Sequence, residues 1–267
     1  MGLDIKKISS KELNQKLDEQ EVEEKLSLIP EGIIQFSGNP ILNYCFDKKV
    51  GLQNKTSPRV LVNWTKHGIV EVSDKDKGKI KRFGKLESIW LNILVELREF
   101  GMSIESIQRT RKILFSYVVN DFSLFKFQIL HSILKTPQML LVFKDGDARI
   151  ISTENYIKLL EKNRFLPHLS LNLEDFIKPE YPNHSFDKTF NLSHPFESIE
   201  KVKLLFFLRT GDFSHLKVKI SDGDVRYIEN VKMLLSNEDV IKALNIWNFK
   251  EILVSIDDDT ETIIASN

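Results

Sequence analysis

The stretch that decides the fold runs from Thr56 to Gln108 and reads TSPRVLVNWTKHGIVEVSDKDKGKIKRFGKLESIWLNILVELREFGMSIESIQ. It opens with Ser57-Pro58. This pair is typical of a helix start, because a serine oxygen caps backbone N–H groups and proline suits the first helical position. The short helix that follows carries Leu61 and Trp64 on one inward face and closes at Gly68.

A polar, basic segment follows this helix and predicts a small hairpin, or wing, with strands at Val70–Val72 and Lys79–Phe83. A long amphipathic helix is then predicted from about Lys85 to Phe100. Its apolar positions are Leu86, Ile89, Trp90, Ile93, Leu94 and Leu97. Gly101 suits a left-handed C-cap, and Ser103 caps a further helix predicted to run to about Asn120. Helix, wing and helix pair together predict a winged helix-turn-helix.

Charge is distributed unevenly along the chain. The 267 residues hold 38 basic and 38 acidic side chains. The segment Ile41–Arg82 nevertheless has ten basic against four acidic residues, a net of +6, whereas the first forty residues have five against eight, a net of −3. Local basicity is typical of a nucleic-acid binder, although a solvated basic face on a protein-interaction module has the same composition.

Three short sequence blocks of this stretch occur in the same order as the motifs of a known protein family. They are Ser57, Pro58, Leu61, Trp64, Gly68 and Ile69, then Arg82 and Phe83, then Leu97 to Ser103 with Ile104, Glu105 and Ile107. In these blocks the chain resembles the DNA-binding domain of the MerR family of bacterial transcription regulators. It departs from the family at Val62-Asn63, where an Arg-Tyr pair is usual, and at Thr65, where a glutamate is usual.

Physical reasoning on the same residues indicates how DNA would be contacted. The predicted DNA-binding residues are Ser57, Arg59, Asn63, Lys66, Lys77, Lys79, Lys81 and Arg82. Asn63 has the donor and acceptor to read an adenine edge, and Arg59 suits a guanine or a phosphate. The wing cations are expected to hold the flanking backbone.

The resemblance also implies a homodimer on an inverted repeat, formed through the helix that follows the wing. The predicted dimerisation residues are Ile104, Ile107, Leu114 and Val118. Such an apolar stripe is normally covered by a partner. The alternative is that it packs within its own chain against a helix at Asn155–Lys162.

The remaining chain predicts an α+β fold in several parts. An acidic helical extension is expected over residues 1–39, with a helix from Ser9 or Ser10 to about Leu28 that Pro30 and Gly32 end. The MerR-like domain spans 40–120, a first α+β unit 121–178 and a second 187–267, joined by a linker at Lys178–Asn191. Two similar stretches, KDGDARIISTEN at 144–155 and SDGDVRYIEN at 221–230, predict hairpins with Asp-Gly turns. They indicate either a duplicated unit or the ordinary recurrence of such turns.

Other classes of function lack their motifs. The six histidines have no paired-ligand spacing, no nucleotide-binding or hydrolase motif occurs, and the single Cys45 cannot form an internal disulfide. We therefore expect no metal, no cofactor and no enzyme activity. The longest apolar runs are too short for a membrane span, and the amino terminus does not resemble a signal peptide.

The sequence thus predicts a cytoplasmic, nucleoid-associated bacterial protein that binds double-stranded DNA, most simply a MerR-like regulator of transcription. One alternative is an accessory factor of a mobile element, of the excisionase or partition type, which uses the same wing. Another is a protein-interaction or ligand-sensing module that has lost DNA binding, which the missing Arg-Tyr pair favours. The operator, the effector and the direction of regulation are not encoded in any recognisable motif.

Overall fold

The computed structural model describes residues 29–50, 56–71, 82–115, 118–119, 122–162, 166–186, 190 and 192–266. These residues form helices and antiparallel strand pairs, so the fold is α+β, as predicted. The predicted helix ending near Leu28 and the predicted wing residues Lys77, Lys79 and Lys81 lie outside the described residues.

The amino-terminal part is mainly helical. Its elements are α1 (Glu31–Ser37), α2 (Pro40–Asp47), β1 (Lys49–Val50), α3 (Pro58–Lys66), β2 (Phe83–Gly84), α4 (Lys85–Glu99), α5 (Ile104–Phe115), β3 (Val118–Val119), β4 (Phe122–Ser123) and α6 (Leu124–Leu134). Gly32, predicted to end a helix, lies inside α1, and Pro30 is the N-cap of that helix. A Cβ on Gly32 would stand 2.8 Å from the backbone oxygens of Phe196 and Ser198, so only glycine allows this close approach.

Helix α4 follows the predicted apolar pattern. Its fully buried members are Ile89, Trp90, Ile93, Leu94 and Leu97. Gly101 after the helix has φ +80°, the left-handed conformation predicted for a C-cap. The Ser103 hydroxyl accepts a hydrogen bond from the Ser106 N–H at 3.1 Å, which confirms the predicted cap of α5.

Helix α5 is shorter than predicted. It ends at Phe115 and does not continue to Asn120. Val118–Val119 pair antiparallel with Phe122–Ser123 instead, which agrees with the β-propensity of two adjacent valines.

The predicted dimerisation residues on α5 contribute to the core of their own chain, and the dimer stays a prediction. Ile107 and Leu114 are fully buried in the core of their own chain, and Ile104 packs half-buried against it. The side chain of Val118 lies outside the described residues. Helix α5 packs mainly on α6 and on strand β6 rather than on the helix near Asn155–Lys162. The stripe is therefore covered from within its own chain, as the alternative predicted, although the covering elements are α6 and β6.

The carboxy-terminal part adds two sheets. Its elements are β5 (Gln138–Phe143), β6 (Ala148–Ser152), α7 (Thr153–Glu161), β7 (His168–Asn172), α8 (Leu173–Ile177), a 3-10 turn (Lys178–Glu180), α9 (Ile199–Thr210), β8 (His215–Ser221), β9 (Asp224–Ile228), α10 (Val231–Leu235), α11 (Glu238–Asn245), β10 (Glu251–Ser255) and β11 (Glu261–Ala265). Both hairpins predicted from Asp-Gly turns are present, as β5–β6 and β8–β9, and β10 and β11 form a third.

The two predicted α+β units have the same order of elements. In the first, α6 precedes the β5–β6 hairpin, α7 follows it, and β7 pairs antiparallel with the free edge of β5. In the second, α9 precedes the β8–β9 hairpin, α10 and α11 follow it, and β10 pairs antiparallel with the free edge of β8. The Asp-Gly turns occupy matching places, which favours duplication over chance recurrence.

Helix α9 lies at the centre of the molecule and packs against α1 and α6. Its residues from Val202 to Leu208 are all buried, as in a helix that is enclosed on most of its faces. The stretch predicted as a linker also contributes to the core, since Glu180, Tyr181 and Phe190 are buried. The predicted domain boundaries remain a prediction, although one continuous apolar core joins the parts that they separate.

Candidate nucleic-acid interface

Helix α3 begins and ends as its sequence predicts. The Ser57 hydroxyl accepts a hydrogen bond from the Val60 N–H at 3.4 Å, and Pro58 occupies the first helical turn. Gly68 has φ +65°, and the N–H of Ile69 donates to the Trp64 carbonyl at 3.0 Å. This left-handed exit satisfies a carbonyl at the helix end and turns the chain back toward the core.

The two faces of α3 differ sharply. Leu61 and Trp64 are 3% and 6% exposed and anchor the helix, as predicted. The outward stripe consists of Arg59, Val62, Asn63 and Lys66, all exposed and spaced i, i+3, i+4 and i+7. These four side chains therefore lie on one face of the helix, directed away from the protein.

Val62 is the member of this stripe that is not among the predicted DNA-binding residues. Its side chain is 44% exposed between three polar neighbours, and Val60 at the edge of the stripe is 38% exposed. Because Leu61 and Trp64 face inward, the helical repeat alone predicts that Val62 lies on the exposed face of α3.

The base of the predicted wing differs from the prediction. Strand β2 pairs antiparallel with β1, matching Lys49 with Gly84 and Val50 with Phe83. Of the predicted partner strand, Val70 and Glu71 are described and are not in a strand. Arg82 is exposed directly before β2, and the exposed Lys49 lies on the paired strand β1.

Not every basic residue of the +6 segment faces solvent. The Lys48 ammonium lies 4.0 Å from a carboxylate oxygen of Asp212 and 3.5 Å from the carbonyl oxygen of Ile256. Tyr44 donates a hydrogen bond to Asp257 in the acidic turn of the β10–β11 hairpin. These contacts join α2 to the carboxy-terminal part and reduce the charge that this region presents to a polyanion.

Cys45 is fully buried. Burial raises the pKa of its thiol to about 12, because the thiolate would lose its hydration. At neutral pH the side chain is therefore a thiol, and thiols are poor nucleophiles and poor metal ligands. In the described part of the chain, no three His, Cys, Asp or Glu side chains are grouped closely enough to hold a metal ion.

Comparisons with known proteins give no match, whether to protein-family models, to curated proteins or to solved structures. Within the described ranges, no helix has the length and apolar character needed to cross a membrane.

Of the eight predicted DNA-binding residues, five are described. The structure brings Arg59, Asn63 and Lys66 together on one helix face, with Ser57 as the cap of that helix. Arg82 is exposed at the end of the adjoining basic segment. The other three belong to residues 72–81.

Proposed function

We propose that this chain is a sequence-specific DNA-binding protein, a MerR-like transcriptional regulator that presents α3 to the major groove. The observation that carries the proposal is the exposed stripe of Arg59, Val62, Asn63 and Lys66 on a helix anchored from behind by Leu61 and Trp64. The major groove is about 12 Å wide and admits one α-helix.

Each side chain of the stripe has a chemical counterpart in a duplex. Asn63 can pair with both the acceptor and the donor on an adenine edge, and Arg59 with both acceptors of a guanine or with a phosphate. Val62 suits the methyl group of a thymine, which only an apolar contact can read. Lys66 and Arg82 are suited to phosphates, which fix position and carry no sequence information directly.

Several further features belong to the same proposal. The chain acts by binding, in a bacterial cytoplasm and on the nucleoid, with no enzyme activity and no cofactor. A homodimer would need a surface other than the α5 stripe, and the carboxy-terminal units would take an effector or a protein partner. An accessory factor of a mobile element would use the same contacts, so the chemistry of α3 supports that role equally.

A charge-matched comparison tests the proposal. Arg59→Ala/Lys66→Ala removes two cations from the stripe, while Arg149→Ala/Lys232→Ala removes two exposed cations from the carboxy-terminal part. Binding to a random-sequence duplex is measured by fluorescence anisotropy between about 50 and 200 mM salt. The stripe variant should bind on the order of tenfold more weakly, with a log-log salt slope less steep by about 1.8, and the control should bind like the parent. Equal losses in both variants would refute a role for α3.

One observation favours a second function. Val60 and Val62 are both exposed on α3, and an apolar pair within a cationic face also suits a protein partner. Under this alternative, no duplex binds at micromolar concentration, and Val62→Ala weakens association with a protein rather than with DNA.

A further inference from the structure

The backbone between α3 and the predicted wing is held at alternate residues by side chains of α4 and α5. Gln108 of α5 donates from its amide nitrogen to the His67 carbonyl at 2.5 Å. Trp90 of α4 donates from its indole N–H to the Ile69 carbonyl at 2.8 Å. The N–H of Glu71 donates to a carboxylate oxygen of Glu87, also on α4, at 2.8 Å.

The Glu87 carboxylate is itself held by a buried arginine. The Arg111 guanidinium of α5 lies 3.2 Å from each oxygen of Glu87 and 3.4 Å from a carboxylate oxygen of Glu71. The guanidinium stands 4.1 Å from the centre of the Phe115 ring and 5.8 Å from that of Trp90. Burial raises the pKa of Glu87, and the charge of Arg111 opposes that shift.

A buried ion pair of this kind adds little net stability, because desolvation of the two charges offsets most of their attraction. Its clearer effect is on geometry. The Glu87 carboxylate accepts hydrogen bonds from both the Arg111 guanidinium and the Glu71 N–H. It therefore connects α5 with Glu71, the residue that directly precedes segment 72–81.

The opposite side of α5 contacts the first α+β unit. Thr110 donates from its hydroxyl to the Gly146 carbonyl at 3.0 Å, and Ser106 donates to the Lys144 carbonyl at 3.3 Å. Arg109 pairs with Asp145 at 3.2 Å. Helix α5 is therefore fixed between the β5–β6 turn and the segment His67–Glu71.

We infer that Glu87 and Arg111 are positioning residues for DNA binding, which together with Gln108 fix the backbone of His67–Glu71 where it leaves α3. This role rests on the proposed function. It extends that function by assigning the placement of the segment that directly follows α3 to α4 and α5, neither of which contributes a predicted base contact.

The variant Glu87→Gln tests this role because positioning and simple electrostatics predict opposite results. Removing one negative charge from beside a basic segment should tighten binding to a polyanion if charge alone matters. If Glu87 positions Glu71, the loss of its ion pair with Arg111 should weaken binding on the order of tenfold and make the salt slope less steep by about 1 to 2.

Glu180→Gln is the matched control. Glu180 is also a buried glutamate, and it accepts a hydrogen bond from Ser88 of the same helix α4 at 2.7 Å. A general effect of removing a buried carboxylate would appear in both variants, whereas a positioning effect appears in Glu87→Gln alone. If Glu87→Gln does not fold, Gln108→Ala on the half-buried face of α5 replaces it, with an expected weakening of about threefold.

The measurement uses the full chain and a duplex selected by it from a random pool. Binding by the parent with weaker binding by Glu87→Gln supports the positioning role. If the parent binds and Glu87→Gln binds equally well or more tightly, the positioning role alone is overturned. The same holds if Glu180→Gln loses as much affinity as Glu87→Gln. Absence of any binding by the parent overturns the proposed function and this role with it.

Discussion

The Asp-Gly turns of the two similar hairpins, β5–β6 and β8–β9, provide a paired test of how the first α+β unit is joined to α5. Gly146 has φ +86°, and a Cβ built there would stand 2.2 Å from the backbone oxygen of Ser106. Gly223, in the matching turn, has no heavy atom within 4 Å of the same position. Its φ also lies outside the left-handed region. The same substitution should therefore have opposite consequences at the two sites.

The expected magnitudes come from these surroundings. At Gly146, alanine adopts a left-handed conformation at a cost of about 1 to 2 kcal/mol. The turn must also move away from α5, which weakens the hydrogen bond from Thr110 by about 1 kcal/mol. We expect Gly146→Ala to lower the free energy of unfolding by about 2 to 3 kcal/mol. Gly223→Ala should leave it unchanged or raise it by about 0.4 to 1 kcal/mol, because the unfolded chain loses freedom.

Equilibrium unfolding in urea, followed by circular dichroism, measures both variants against the parent. The free energies are compared by linear extrapolation, and the slopes should stay equal if only stability changes. Similar losses in the two variants would mean that Asp-Gly turns need glycine for local reasons alone. A neutral Gly146→Ala would show that the turn is not seated on α5.

Three other predictions concern the interface and the core. Replacing Lys79, Lys81 and Arg82 with alanine should make the salt slope of DNA binding less steep by about 0.9 for each phosphate that is no longer neutralised, and an unchanged slope would remove these residues from the interface. Leu114→Ala should lower the free energy of unfolding by about 2 to 5 kcal/mol, since Leu114 is buried within its own chain. The sedimentation coefficient of the folded protein should not change. Dissociation of an oligomer would instead indicate that α5 forms a dimer face. Burial lowers the pKa of His131 to about 4. As the pH falls below about 6.5, the histidine of the unfolded state takes up a proton before that of the folded state does. The free energy of unfolding should therefore decline toward pH 4, by up to about 1.4 kcal/mol per pH unit. This decline should be absent from the pH dependence of urea midpoints in His131→Gln.

The features that sequence predicted well are local. The cap at Ser57, the end of α3 at Gly68, the left-handed Gly101 and the apolar face of α4 depend on residues within a few positions of each other. The Asp-Gly hairpins belong to the same class, because two adjacent residues fix the turn. The outward direction of Arg59 follows from the same helical period.

The features that sequence missed depend on contacts between distant residues. The partner of β2 is β1, more than thirty residues earlier, and the basic segment itself gave no sign of that pairing. The end of α5 at Phe115 has no glycine or proline to mark it. The apolar stripe on α5 was predicted to be exposed for dimerisation because the elements that bury it, α6 and β6, come later in the chain. The buried Arg111 was unremarkable in sequence, since only the fold brings Glu87 and Glu71 to it.

The central claim is that α3 reads DNA sequence, and selection of duplexes from a random pool tests it most directly. The full-length parent should enrich one defined motif, and Asn63→Ala should relax preference at a single position of that motif at a cost of about 1 to 3 kcal/mol. Failure of the parent to enrich any motif, or an Asn63→Ala variant that weakens binding to all duplexes equally, would contradict the claim.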